Sequence, residues 1–321
     1  MSAMEARSMQ DETFNPAEPV HVSVLPEECF DALMAGRDPA SVEGWFVDGT
    51  TGAGGHSELL LQRCPKIQLL CVDQDPEALK IATERLKPYA DRVRLRRSRH
   101  SELCRVIRKE RIGRLSGVLF DLGVCSLHLD RATRGFSFAE DGPLDMRMDP
   151  SRERNAADIV NHWDESDLAD LLYYEGDETH SRKIAKAIVE ARRRAPFMRT
   201  SGLAELIART LGGGGGKIHP ATKTFQALRR AVNEEGDELG MALETAEHWL
   251  DDSGVLAVIS FHSGEDRVVK RFFQNGRKED RWELKSKKPI SASHAETRSN
   301  RRARSARLRV ARRTRHRGGV Q

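Results

Sequence analysis

One stretch constrains this chain more than any other. Trp45-Phe46-Val47 is a short apolar run that ends at Asp48 and passes directly into Gly49-Thr50-Thr51-Gly52-Ala53-Gly54-Gly55-His56-Ser57, after which Leu59, Leu60 and Leu61 open a helix. A buried strand, a glycine turn and a helix N-terminus in that order let the backbone approach a ligand closely and favour an anionic or polar group there. A second apolar run, Ile67 to Val72, stops at Asp73, 25 residues after Asp48. A carboxylate at that point of a βαβ unit accepts hydrogen bonds from ribose hydroxyls. The pair predicts a parallel α/β sheet with a nucleoside-containing cofactor at its carboxyl edge.

The rest of the chain extends this reading. Pro76 starts a helix through Leu79, Ile81, Ala82 and Leu86, Arg92 to Leu95 offers a third strand, and Val118-Leu119-Phe120 a fourth that ends at Asp121. The alternation then stops. From 126 to 220 the apolar residues recur with helical spacing, as in Ile184, Ala185, Ile188 and Val189, which predicts an all-α domain inserted after the fourth strand. Five successive glycines, Gly212 to Gly216, predict a flexible loop within it. A long helix from Thr224, weakened at Gly236 and Gly240, a turn at Asp251 to Gly254, a fifth strand Val255 to Ser260, a further helix, and late strands at Trp282 to Leu284 and Ala306 to Val310 complete the pattern. The expected division is a leader (1–19) without order, a parallel α/β domain (20–125 and 221–314), the helical insert (126–220) and a basic tail (315–321).

Composition excludes several classes. The N-terminus carries Glu5, Asp11, Glu12 and Glu18 and no apolar core, unlike a secretory signal, and no run approaches the ~18 apolar residues of a membrane span. Five cysteines, odd in number and without a C-x-x-C pair, argue against a disulfide framework or zinc site and for a reduced cytoplasm. The net charge of +4 conceals an asymmetry. Arg298 to Gln321 holds ten arginines and no acid, which leaves 43 basic against 49 acidic residues elsewhere. A mildly acidic body with a cationic end points to a polyanion, most simply nucleic acid.

The cofactor class follows from spacing. A dinucleotide fingerprint needs a third glycine where Ser57 stands, and a P-loop fails at Gly216-Lys217 because Leu211 and Ile218 occupy required positions. Asp48-x-x-x-Gly52-x-Gly54 instead suits S-adenosyl-L-methionine.

The segment Val47 to Ser57 closely resembles the signature of the RsmH (MraW) family, bacterial S-adenosylmethionine-dependent methyltransferases acting on N4 of a cytidine in the decoding centre of 16S rRNA. Further blocks agree in order: Arg134-Gly135-Phe136-Ser137-Phe138, Gly142 to Asp149, His219-Pro220-Ala221-Thr222, Val232-Asn233, Ile259 to Ser263 and Arg302 to Ala306. The resemblance implies that the α/β domain is a class I (Rossmann-like) methyltransferase fold with an inserted all-α domain. It also implies that Gly54, Gly55 and His56 contact the methionine portion of the cofactor with Gly52 also binding it, that Asp73 binds its ribose, and that Asp121 lies beside it. His100 stands where the family has an aromatic residue and His128 where it has glutamine; both are expected at the cofactor. Asp121 and His262 are the expected catalytic pair. Asp121 either accepts a hydrogen bond from the target amine or orients the cofactor, the alternative being that it only fixes the loop or the cofactor, and His262, just past the fifth strand, lies in the target pocket. Asp145, Arg147 and Asp149 either face the site or tie the insert to the core. Phe136 and Phe138 either stack on a base or pack the core, and Arg267 either meets phosphate or pairs with Glu265 or Asp266. The implied partner is 16S rRNA within the small ribosomal subunit, with no metal and no membrane; monomer and homodimer both stay open. Gly236, Gly264 and Cys125 depart from the family pattern, as does Arg301. They leave room for a divergent paralogue acting on another nucleic acid, or for a non-catalytic assembly factor.

Overall fold

The computed structural model describes residues 22–124, 126–213 and 219–314. The expected leader, Cys125, the later glycines of the 212–216 run and the basic tail at 315–321 lie outside them.

In chain order the first half comprises α1 (Pro26–Met34), β1 (Glu43–Asp48), α2 (Gly55–Arg63), β2 (Lys66–Asp73), α3 (Pro76–Leu86), β3 (Val93–Arg97), α4 (Leu103–Lys109) and β4 (Leu115–Asp121). The helices that follow are α5 (Ser126–Asp130), α6 (Ala156–His162), α7 (Glu165–Gly176), α8 (Ser181–Arg192), α9 (Thr200–Thr210), α10 (Thr222–Asn233) and α11 (Glu235–Trp249). β5 (Leu250–Ser260), α12 (Ser263–Lys278), β6 (Trp282–Leu284), α13 (His294–Ser299) and β7 (Arg307–Arg313) close the chain.

The seven strands lie in the order β3-β2-β1-β4-β5-β7-β6. The first five are parallel, whereas β7 runs antiparallel to both β5 and β6. Strand order reverses between β1 and β4, and in open α/β sheets a ligand crevice forms outside the carboxyl ends at such a switch. Asp48, Asp73 and Asp121 end β1, β2 and β4 at that edge. One apolar cluster holds α1 and α2 residues such as Leu33 and Leu61 with Phe46 and Leu69. A second joins Val47, Leu70 and Phe120 to Leu103, Leu243 and Phe273. Adjacent strand residues alternate between the two clusters, as expected for a sheet covered on both faces.

A third cluster is helical. It runs from Phe136 through Ile159, Leu172, Ile184 and Leu203 to Phe225, Leu228 and Val232. α10 therefore packs with the helices before it, beyond residue 220. The expected long helix from Thr224 divides, but not at Gly236 or Gly240, which both lie within α11. The break is Glu234, whose φ of 54° ends α10 in a left-handed turn. β5 starts earlier than expected. Leu250 already pairs with Leu115, and Asp251 to Gly254 form a bulge before Val255 pairs with Gly117.

Candidate active site

The three strand-end carboxylates are built differently. Asp48 is buried at 1% exposure; its carboxylate accepts from Ser57 Oγ at 2.6 Å and from the Thr50 amide at 3.2 Å. Burial pushes it up to about 6, against the opposing pull of those hydrogen bonds. It thus pins the β1 turn to the first turn of α2. The carboxylate of Asp73 accepts the Gly52 amide at 2.7 Å and the Asp75 amide at 2.9 Å. Burial raises its pKa while these two amides oppose the rise. Each Asp73 oxygen keeps lone-pair capacity for a further donor. Asp121 has less support. Its amide donates to Thr50 Oγ1, but its buried Oδ1 has no hydrogen-bond partner among the described residues, and His56 Nε2 lies 3.8 Å from Oδ2. Burial pushes the Asp121 carboxyl up to about 7; the Arg302 guanidinium opposes this, and Asp48 and Glu265 add to it.

A cleft of about 970 Å³, counted to its open mouth, lies above these strand ends. Gly52, Gly55, His56, Asp73, His100, Asp121 and His128 all line it, so the structure brings together seven of the expected site residues. Gly54 lies behind the wall. Its φ is 84°, and a Cβ there would meet Ala82 at 3.4 Å, so it serves the turn and the approach of α2 to α3. Gly55 is constrained by space, since a Cβ would fall 2.2 Å from Ser23 Oγ.

The two histidines that depart from the family pattern are both held. His100 Nε2 hydrogen-bonds with the Gly49 carbonyl at 2.9 Å and its ring meets Phe120 edge-on; burial lowers its pKa, favouring the neutral ring. His128 stacks on Phe136 at 4.7 Å and hydrogen-bonds with Asp75 Oδ2 at 2.6 Å. Asp75 is fully buried, caps α3 through the Glu77 amide, and also receives Arg134 Nη1 at 3.0 Å. Arg134 then donates through Nη2 to the Arg147 and Met148 carbonyls. Asn233 completes this clamp from α10, accepting the Met148 amide and donating to the Met146 carbonyl, each at 2.8 Å. Met148 and Asn233 line the cleft. Asp75, Arg134, Asn233 and Arg302 escape a reading by residue type, because each sits in a separate segment and acts through folded contacts. Their only signal was their place inside the recurring blocks or beside Asp73.

Other expected contributors lie elsewhere. His262 does not line the cleft. It caps α12, with Nδ1 accepting the Gly264 and Glu265 amides at 3.2 and 3.3 Å, and this fixes the remaining proton on Nε2, 3.0 Å from Glu265 Oε1. Glu265 itself lines the cleft. Glu235, His262 and Glu265 approach one another within 4.8 Å, the spacing of a cation site. Arg229 already forms a two-pronged ion pair with Glu235 at 2.8 Å, and the His262 cap occupies the other nitrogen. Phe138 packs on Phe225 and His219, so both family phenylalanines serve the interior. Asp145 pairs with Arg147, and Asp149 with Arg97, so that segment ties the helices to the sheet. Arg267 is exposed and takes neither Glu265 nor Asp266.

The profile of the MraW methylase family matches residues 18–314. The chain belongs to the MraW methylase family. Relatives are similar over nearly the whole length. The Ribosomal RNA small subunit methyltransferase H of Synechococcus elongatus is 47% identical over 312 residues, covering 97% of this chain and 98% of the relative. The protein of that name from Methylobacterium sp. strain 4-46 is 45% identical, with 92% and 91% covered, and that of Treponema denticola 44%, with 92% and 98% covered. Among solved structures, an rRNA methylase from Streptococcus thermophilus is similar over 91% of this chain and 98% of its own at 12% identity and a TM-score of 0.42. The MraW assignment rests on sequence, and the sheet order and carboxyl-edge cleft accord with it.

Proposed function

We propose that this protein transfers a methyl group from S-adenosyl-L-methionine to the exocyclic N4 amine of a decoding-centre cytidine in 16S rRNA of the small ribosomal subunit. The names of its relatives support small-subunit rRNA as the substrate. The observation that carries the chemistry is Asp121, a buried carboxylate with one oxygen unsatisfied among the described residues, on the wall of the cleft that also holds Asp73 and the glycine turn.

The cleft residues fit the cofactor. Asp73 is fixed by two backbone amides and keeps acceptor capacity, as a ribose diol requires, and the glycine turn leaves its backbone open at the α2 N-terminus. Asp73 would hold the ribose, Gly52, Gly55 and His56 the methionine portion, and His100 and His128 the flanking walls. Bound there, the cofactor supplies an electrophilic methyl group.

The amine of cytosine is a weak nucleophile because its lone pair is conjugated with the ring. Asp121 Oδ1 accepts a hydrogen bond from the amine, which orients the nitrogen and offsets positive charge as it becomes tetrahedral. A carboxyl near 7 is matched to taking up the amine proton at neutral pH. Arg302, lining the same cleft and lowering the Asp121 pKa, keeps a fraction ionised. We assign His262 a positioning role, holding Glu265 and the start of α12 beside Asp121. The helical cluster, with its boundary moved to Asn233, supplies the wall opposite the sheet, and the reaction is placed in the cytoplasm with its RNA. Among the described residues no helix is long and apolar enough to cross a membrane.

The test uses undermethylated small subunits, labelled S-adenosylmethionine and mass spectrometric mapping of modified nucleotides. Label on N4 of one decoding-centre cytidine is expected. Label on another polymer, or none on subunits that a related enzyme methylates, would sink the assignment.

A further inference from the structure

The C-terminal arginines are the sequence's candidate for holding a polyanion, yet the structure engages several of them internally. Arg307 and Arg309 bind Asp266, and Arg302 donates to the Val124 carbonyl at 2.7 Å. Arg309 is turned in rather than alternating outward, with its side chain 11% exposed. A continuous stripe of exposed positive charge lies on α12.

Arg267, Lys270, Arg271, Arg277 and Lys278 recur at helical spacing and are all exposed. Glu265, Asp266, Val269, Phe273 and Gly276 form the opposite, buried face. The two acids of the helix's first turn are both occupied, Glu265 beside His262 and Asp266 by the two arginines of β7. The next acid, Glu279, pairs with Arg281. None of the five cations makes an ion pair among the described residues. Just beyond β6, Lys285, Lys287 and Lys288 are also exposed, and the grooves between α12 and the β6–β7 edge are lined by Lys270, Arg277, Ser286 and Lys287. The far end of α12 is pinned there, since a Cβ at Gly276 would fall 2.1 Å from the Trp282 ring.

We propose that this face of α12, continued by the lysines after β6, is the track along which the phosphate backbone of the substrate RNA leaves the cleft. The inference rests on the rRNA reading above and names the surface that serves it. Its near end is fixed by Glu265, which lines the cleft two residues before Arg267. From Arg267 to Lys278 the helix rises about 16 Å, at ~1.5 Å per residue, enough for several backbone phosphates. Like charges on neighbouring turns repel, so the stripe opposes helix stability until a polyanion lies along it. It offers no aromatic platform, so it positions the strand and leaves base selection to the cleft.

The experiment replaces Lys270, Arg271 and Lys278 by glutamine together, with Lys80→Gln, Lys87→Gln and Lys109→Gln as a control of equal charge loss on other exposed sites. Affinity for a single-stranded small-subunit RNA fragment spanning the target is measured against salt, and methylation at saturating subunit. The α12 variant is expected to bind about tenfold more weakly at 0.1 M salt. Its log–log salt slope should be shallower by roughly 2, at ~0.7 per single-strand phosphate contact, with cofactor affinity and saturated turnover unchanged. An unchanged slope, or an equal loss in the control, overturns the track. Absence of methylation by the unmodified protein would count against the rRNA reading instead, since the binding arm does not depend on turnover.

Discussion

Replacing Asp121 by asparagine should make the protein more stable and nearly inactive, and the two effects should separate with pH. The carboxyl sits at about 7 in the fold against 3.8 for an ordinary aspartate, chiefly because it is buried. A folded-state value above the unfolded one means the native state holds the proton longer. Ionisation then costs stability progressively as pH rises from about 4 to about 7, and the full penalty applies above that. The gap of about three pH units corresponds to at most ~4 kcal/mol, so a gain of roughly 2–4 kcal/mol is expected for Asp121→Asn at pH 8. At ~2 °C per kcal/mol for a chain of this size, that is a rise of roughly 4–8 °C in Tm. At pH 4 the gain should shrink to under ~1 kcal/mol, because the native aspartate is then protonated. The assay is thermal unfolding of cofactor-free protein by circular dichroism at both pH values, with turnover and cofactor affinity measured at pH 7.5. Turnover should fall by about 10²–10⁴-fold while cofactor affinity holds within a few-fold. No gain at pH 8, or an equal gain at pH 4, would refute the buried-charge argument. Lost cofactor affinity would make Asp121 a cofactor-holding group only.

Three other outcomes are expected. Gly55→Ala should weaken cofactor affinity about tenfold by driving a methyl group against Ser23 Oγ, and Ser23→Ala in the same chain should restore most of it; isothermal titration of both variants decides, and no rescue would place the fault elsewhere. Asp75→Ala removes the acceptor that His128 and Arg134 share and the cap of α3, while Arg134 keeps Glu77, so urea unfolding should show a loss of about 1–3 kcal/mol, and a loss below ~0.5 would mean the clamp is dispensable. His262→Asn preserves a capping side chain and should hold turnover within about threefold, whereas a hundredfold fall in a folded variant would return the imidazole to the reaction.

What the sequence disclosed was local. Asp48, Asp73 and Asp121 each end an apolar run, so period and punctuation placed them at one sheet edge before any coordinates. The glycine turn was legible for the same reason, since φ above zero at Gly52 and Gly54 restricts the residue type. The order of the strands was not legible, because β7 enters between β5 and β6 through pairing that no local pattern encodes. The glycines at 236 and 240 suggested a break that fell instead at Glu234, where tertiary contacts hold a non-glycine residue left-handed: Arg99 binds both Glu234 and Glu238 across the junction. His262 stands just past β5, and the direction its ring takes depends on which nitrogen the helix amides claim, which residue type does not tell. The Asp75 clamp joins residues 53 and 59 positions apart, beyond the reach of spacing arguments.

The placement of β7 bears on how the molecule comes into being. Ala303, Ala306, Leu308 and Val310 complete the apolar layer shared with α1 and α2, and Arg302 completes the cleft. All of them follow β1 to β6 in the chain and so emerge after those strands during translation. Until Arg307–Arg313 pairs with β5, the nascent chain presents an open parallel edge and an unfinished interior, the kind of surface that invites self-association. A message cut short before this strand would yield a chain that has nearly all of its cofactor-binding residues but not the strand that closes the layer around them.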